Sequence, residues 1–128
     1  MLQDKVVLIT GAGSGIGRTA AETFAKNGAS VVVADLNEAA AGETVEAIRS
    51  AGGKAEARRC NVAVEEDVAA MVAFAVERYG RLDGAVNNAG IEMRNKPVHE
   101  LTGDDWRSVI DVDLNGVFYC VKHEFLAM

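Results

Sequence analysis

Clusters of positive charge are missing from this chain. No run of Lys or Arg is longer than Arg58-Arg59, and the net charge is −6. Neither a nucleic-acid partner nor an anionic membrane surface is therefore expected. An anionic ligand would have to be held by local backbone dipoles, not by a basic field. Cysteine is scarce too. Cys60 and Cys120 lie far apart, with no CxxC and no Cys/His spacing, which leaves no metal set and fits a reducing compartment. No apolar run approaches the length of a membrane span. The first strand-like run begins a few residues after Met1, so no leader is expected and the expected location is the cytoplasm. Low-complexity linkers and internal repeats are also missing.

What is present is an alternation of short apolar runs and longer amphipathic stretches. "VVLIT" (Val6 to Thr10) and "SVVVAD" (Ser30 to Asp35) are almost uninterruptedly apolar, as strands of a parallel sheet covered on both faces are. Between them Ile16, Ala20 and Phe24 recur at four-residue steps, which predicts a helix with these residues as its apolar face, stopping at Asn27-Gly28. Asn37 is placed to cap a second helix carrying Val45 and Ile48 and ended by Gly52-Gly53. "KAEARRC" (Lys54 to Cys60) reads as a strand by its place in the alternation. A third helix carries Val68, Met71, Val72 and Ala75 and stops at Tyr79-Gly80, and "LDGAVNNAG" (Leu82 to Gly90) is a short strand running into a loop.

The last helix starts near Thr102, where "TGDD" resembles a capping box with Asp105 in the third place. Trp106 is expected to anchor its start to the sheet. Its segment "VFYCV" (Val117 to Val121) is apolar all round, so a second copy or further chain should cover it. Strand and helix alternating four times predict a doubly wound α/β sheet. A complete dinucleotide fold of this kind has about six strands, so residues 1–128 read as its first four strands and their helices, ending before the second half.

The densest signal is "TGAGSGIG" (Thr10 to Gly17), with four glycines between the first strand and its helix. Bare backbone there lets an anion approach the free N–H groups and positive dipole end of the helix. Three readings are open: a dinucleotide, a nucleoside triphosphate, or close packing with no ligand. The triphosphate loop GxxxxGK[ST] is missed twice, because Ala12 replaces its first glycine and Arg18 its lysine. The dinucleotide reading demands an acidic residue at the tip of the second strand, and Asp35 stands there, eighteen residues past Gly17. Its carboxylate would accept from ribose hydroxyls and repel a 2′-phosphate, and neither Ser14 nor Leu36 supplies a compensating charge. NAD is expected over NADP. A capping or solvated aspartate is the plainer alternative.

Taken together, these residues resemble the short-chain dehydrogenases/reductases. Thr10, Gly11, Gly15 and Gly17 match the family's TGxxxGxG. "CNVAVEEDV" (Cys60 to Val68) is similar to its segment after the third strand, with Asn61 where an aspartate is usual. "NNAG" (Asn87 to Gly90) is its fourth-strand signature, and "DWRSVIDVDLNGVF" (Asp105 to Phe118) is similar to the helix bearing one member of its catalytic tetrad. The resemblance covers essentially the whole chain. It implies a Rossmann-type NAD-binding domain, with cofactor contacts at Gly11, Ser14, Gly15, Ile16, Gly17, Asp35, Leu36, Asn61, Val62, Asn88, Ala89 and Gly90. It also implies hydride transfer between an alcohol and a carbonyl substrate, and a homodimer or homotetramer formed through the final helix.

Two departures stand out. Asp113 occupies the place of the family's catalytic asparagine; it can accept a hydrogen bond but offers no amide donor. Asn115 points elsewhere on the helix. The family's serine and its Tyr-x-x-x-Lys pair have no counterpart: Tyr79 is followed four residues on by Asp83, and Tyr119 by His123. A truncated module that binds a dinucleotide and catalyses nothing is the competing reading. His99 reads as a surface residue, and His123 as facing a neighbour or solvent.

Overall fold

The computed structural model describes all residues, 1–128. Four strands, β1 (Val6–Thr10), β2 (Ser30–Asp35), β3 (Lys54–Arg59) and β4 (Gly84–Val86), form one wholly parallel sheet in the order β3-β2-β1-β4. Helices α1 (Gly15–Lys26), α2 (Glu38–Ser50) and α3 (Glu65–Tyr79) connect them. A 3₁₀ turn (Val98–Glu100) leads to a final helical rod: α4 (Gly103–Val109), a π-type stretch (Ile110–Asn115) and α5 (Gly116–Ala127). No helix is long and apolar enough to cross a membrane.

The uninterrupted apolar runs of β1 and β2 follow from burial on two sides. Val7, Ile9, Val31 and Val33 face one way and pack with Ala21 and Ala25 of α1 and Val45 and Ile48 of α2. Val6, Leu8, Val32 and Ala34 face the other way and pack with Val68, Met71, Val72 and Ala75 of α3 and Cys120 of α5. Period-two alternation along each strand thus splits one sheet between two cores. At one edge β3 carries charge instead: Glu56 meets Arg49 and Arg78, and the Arg58 and Arg78 guanidinium groups lie over the Phe74 ring. Charge of this kind discourages pairing by another strand. The opposite edge is the short β4.

The predicted caps form. Asn37 Oδ1 accepts from the Ala40 N–H at 3.0 Å. Thr102 and Asp105 complete a reciprocal capping box, and the Thr102 N–H and Lys96 ammonium together hold the Asp105 carboxyl down to about 2. Two expectations are corrected. The fully buried stripe of α1 is Gly17, Ala21 and Ala25; Ala20 and Phe24 pack beside it as partly buried residues, but Ile16 is 81% exposed. The tightness of the loop against the strand selects the residues without bulk for the inner stripe. Trp106 does not anchor its helix to the sheet: it is 58% exposed, because the capping box and the Lys96–Asp105 contact already fix the helix start.

Candidate functional site

The sheet order reverses at β1: the chain steps outward through β2 and β3, then crosses back to place β4 on the other side. Loops leaving β1 and β4 therefore diverge, and the crevice left at the carboxyl ends of the strands is where open α/β sheets take ligands. A cavity of about 350 Å³ occupies that position. Its walls are Thr10, Gly11 and Ser14 after β1, Ala34, Asp35 and Leu36 at the end of β2, and Cys60, Asn61 and Val62 after β3. Asn88 to Ile91 after β4 and Val112 of the π-type stretch complete it.

The glycine loop is fixed from three directions. Asp35 Oδ2 accepts from the Gly13 N–H at 2.8 Å, while Oδ1 accepts from the Asn37 N–H at 2.9 Å. The buried Thr44 hydroxyl donates to the Ala12 carbonyl at 2.9 Å. The Asn88 amide donates to the carbonyls of Thr10 and Gly11 at 3.2 and 3.3 Å. Gly11 has φ +63°, and a side chain there would press on Asn88 and Ala89. Gly17 is buried against the Gly11 carbonyl, which leaves no space for a Cβ.

Acceptors on Asp35 and donors at the start of α1 remain available. A carboxylate oxygen has two lone pairs, so each Asp35 oxygen keeps one after its backbone bond. At the start of α1 the Ser14 side chain caps nothing, and the first N–H to return to the loop is that of Arg18, bonded to Ser14 O. The N–H groups of Gly15, Ile16 and Gly17 thus lack helical acceptors.

The structure gathers Gly11, Ser14, Asp35, Leu36, Asn61, Val62, Asn88, Ala89 and Gly90 around one cavity. Gly15, Ile16, Gly17 and Asp113 are not part of its wall. Ile16 points outward, so only its backbone is placed for contact. Asp113 lies on the π-type stretch, a local widening that recurs at functional sites, and its Oδ1 accepts from the Ile91 N–H at 2.8 Å. That bond uses an acceptor only, so the carboxylate serves in it without an amide. The Asn115 amide donates to Asp111 on its own helix at 3.1 Å.

Several neighbours were not singled out from sequence. Thr10 is buried at the strand end, and its Oγ1 accepts from the Ala89 N–H at 3.0 Å. Its position opening the glycine motif was the available signal. Thr10→Val keeps the shape and leaves that N–H without an acceptor, so a loss of about 1–3 kcal/mol is expected in urea unfolding. Cys60 lines the cavity, but burial, aided by Asp67, pushes its thiol up to about 11, which makes it a poor nucleophile. Burial likewise raises the Tyr79 phenol, the wrong direction for a base at neutral pH. His99 is exposed. His123 faces its own chain, with Nε2 3.3 Å from Glu65 Oε1, where Lys122 Nζ also arrives at 2.6 Å.

The family model described as short chain dehydrogenase matches residues 5–128. Cyclohexanol dehydrogenase of Acinetobacter sp. (strain SE19) is 50% identical over 125 residues, covering 98% of this chain and 50% of that protein. A Burkholderia phymatum short-chain dehydrogenase/reductase solved in complex with NAD superposes with a TM-score of 0.95 at 35% identity, over 99% of this chain and 45% of the other. A metagenomic short-chain oxidoreductase solved in complex with NADP gives 0.91 at 30% identity, over 95% of this chain and 55% of the other. The chain thus spans about half the length of the proteins it matches. With its glycine loop, strand order and Asn87–Gly90 segment all in place, this chain belongs to the short-chain dehydrogenase family.

Proposed function

We propose that this chain forms the cofactor-binding part of an NAD-dependent oxidoreductase that interconverts an alcohol and a carbonyl compound. The observation that carries the reading is one cavity that joins the Asp35 carboxylate to Ser14, the residue just before α1, and to the Asn88–Gly90 loop. Two groups of a dinucleotide have matching partners. A pyrophosphate fits the unpaired N–H groups of Gly15, Ile16 and Gly17, where the helix dipole favours negative charge. A ribose diol fits the two remaining acceptor sites of Asp35. Asn61 and Val62 line the adenosine side, and Leu36 offers an apolar wall.

When bound, the nicotinamide supplies or takes up the hydride. This chain's residues bind and orient: the Thr10–Ala89 and Asn88–Gly11 hydrogen bonds hold the loop after β4 against the glycine loop. Asp113 fixes the next residue through Ile91 N–H. No Tyr-x-x-x-Lys pair occurs in these 128 residues, so proton transfer falls to the portion of the relatives' length that this chain does not span. The fold resemblance to a protein solved with NADP leaves Asp35 to decide the cofactor.

Phe118, Val121 and Phe125 are exposed along α5, which supports a homodimer or homotetramer closed through this helix. Light scattering that finds only monomers of the full-length protein would remove that part. Activity is tested by following NADH formation when full-length protein meets NAD and a panel of cyclic and linear secondary alcohols. Turnover with at least one alcohol is expected. No turnover, combined with no dinucleotide binding, would defeat the reading.

A further inference from the structure

Glu124 is the one acidic side chain the fold encloses: it is 4% exposed, on the stripe of α5 that also buries Gly116 and Cys120. Nothing in the proposed reaction uses it. Its Oε2 accepts from Asn87 Nδ2 at 3.0 Å. The other oxygen of each side chain, Glu124 Oε1 and Asn87 Oδ1, is buried and has no hydrogen-bond partner. With the carboxyl ionised, both orphan atoms are acceptors, on two planar groups already joined at their other ends. That arrangement leaves two buried acceptors unsatisfied and one charge out of water, each costly.

No cation relieves it. On the same helix Lys122 and His123 are engaged by Glu65 of α3. The cysteines it meets, Cys120 of α5 and, beyond it, Cys60 after β3, both have thiols raised by burial. From the loop after β4 only the Asn87 amide reaches it.

We propose that Glu124 is a neutral carboxylic acid in the folded protein at neutral pH, its Oε1–H donating to Asn87 Oδ1, and that it is the positioning residue for the loop after β4. One proton then satisfies both orphan atoms and closes a two-bond ring between acid and amide. The ring fixes Asn87 next to Asn88 and Ala89, whose bonds to Thr10 and Gly11 hold one wall of the cavity. Burial pushes the Glu124 carboxyl above its ordinary 4.5, with the Asn87 bond opposing in part. The folded state therefore binds the proton more tightly than the unfolded chain. Its contribution to stability is complete below 4.5 and is lost as pH rises through the folded value.

Glu124→Gln tests this in the full-length protein, because glutamine copies the neutral acid: one amide atom donates to Asn87 Oδ1 and the other accepts from Nδ2, and it cannot ionise. In urea unfolding the variant should match the wild type within about threefold near the acid end of the range. The wild type should then fall behind by up to about tenfold in unfolding constant per pH unit, the limit for one proton. A variant less stable by one constant factor between about pH 5 and about pH 8 would overturn the proposal, since the site would then prefer the carboxylate. A second readout needs no variant. Infrared difference spectra of the wild type should show a protonated-carboxyl carbonyl band that persists at neutral pH and is lost only at higher pH. Absence of that band at neutral pH would equally overturn it.

Discussion

Replacing Gly17 by alanine is expected to destabilise the full-length protein by about 3 kcal/mol or more, read as a fall in urea midpoint at unchanged slope. The added methyl would overlap the Gly11 carbonyl oxygen and lie 2.7 Å from the Asn88 amide nitrogen. The obstacle is backbone, so no rotamer change can relieve it. Relief requires moving α1 away from β1, which opens the core around Ala21 and Ala25. Gly42 provides the control. It lies inside α2, exposed, with nothing near a Cβ, and alanine there should stabilise by about 0.5–1 kcal/mol. The same chemical change thus has opposite signs at two helical glycines. Equal effects at both positions would contradict the packing account of Gly17.

The second large effect concerns Asp35. Asp35→Ser with Leu36→Arg is expected to weaken NADH binding by about ten- to a hundredfold and to shift preference to NADPH. The loss follows from removing charged hydrogen bonds to a ribose diol, worth about 1.5–3 kcal/mol each. The gain follows from electrostatics. A carboxylate about 4 Å from a phosphate is repelled by roughly 4 kcal/mol at an effective dielectric of 20, and that repulsion gives way to a guanidinium–phosphate contact. Leu36 is exposed at the cavity wall, so arginine there meets solvent and not the core. Because Asp35 also holds the Gly13 and Asn37 N–H groups, serine, which can still accept, is preferred to alanine. An unfolding midpoint measured beside the affinities separates loop collapse from lost recognition. Unchanged discrimination in a folded double variant would remove Asp35 from the site.

The sequence made the alternation legible because burial on both faces demands unbroken apolar strands, and β1 and β2 show them. The cap residues Asn37 and Thr102 were legible for a similar reason: each satisfies a local rule that tertiary contacts do not override. Failures came where a tertiary contact decided the outcome. On α1 Ile16 was placed inward with Ala20 and Phe24, whereas the tightest point belongs to Gly17, a residue invisible to a hydrophobic count. Trp106 was assigned an anchor role from size alone, although polar contacts hold the helix start. At the site, Asp35 and the Asn88–Gly90 segment could be found by spacing from a motif. Thr10 opens that motif, but its bond to Ala89 is not visible in it, and Thr44 and Glu124 lie in no motif; each acts across 32 residues or more, joining Ala89, Ala12 and Asn87 respectively.

Phe118, Val121 and Phe125 of α5 are exposed, and β4 is an edge strand. The cavity itself is built without them. Its walls come from four loops at one end of the sheet and from Val112 of the π-type stretch.

The most direct measurement is calorimetric titration of the unmodified full-length protein with NADH and NADPH side by side. Asp35 and the open start of α1 predict that NADH binds at least about a hundredfold more tightly, the equivalent of roughly 2.7 kcal/mol. Equal affinities, or a preference for NADPH, would contradict the assignment of Asp35 to the ribose.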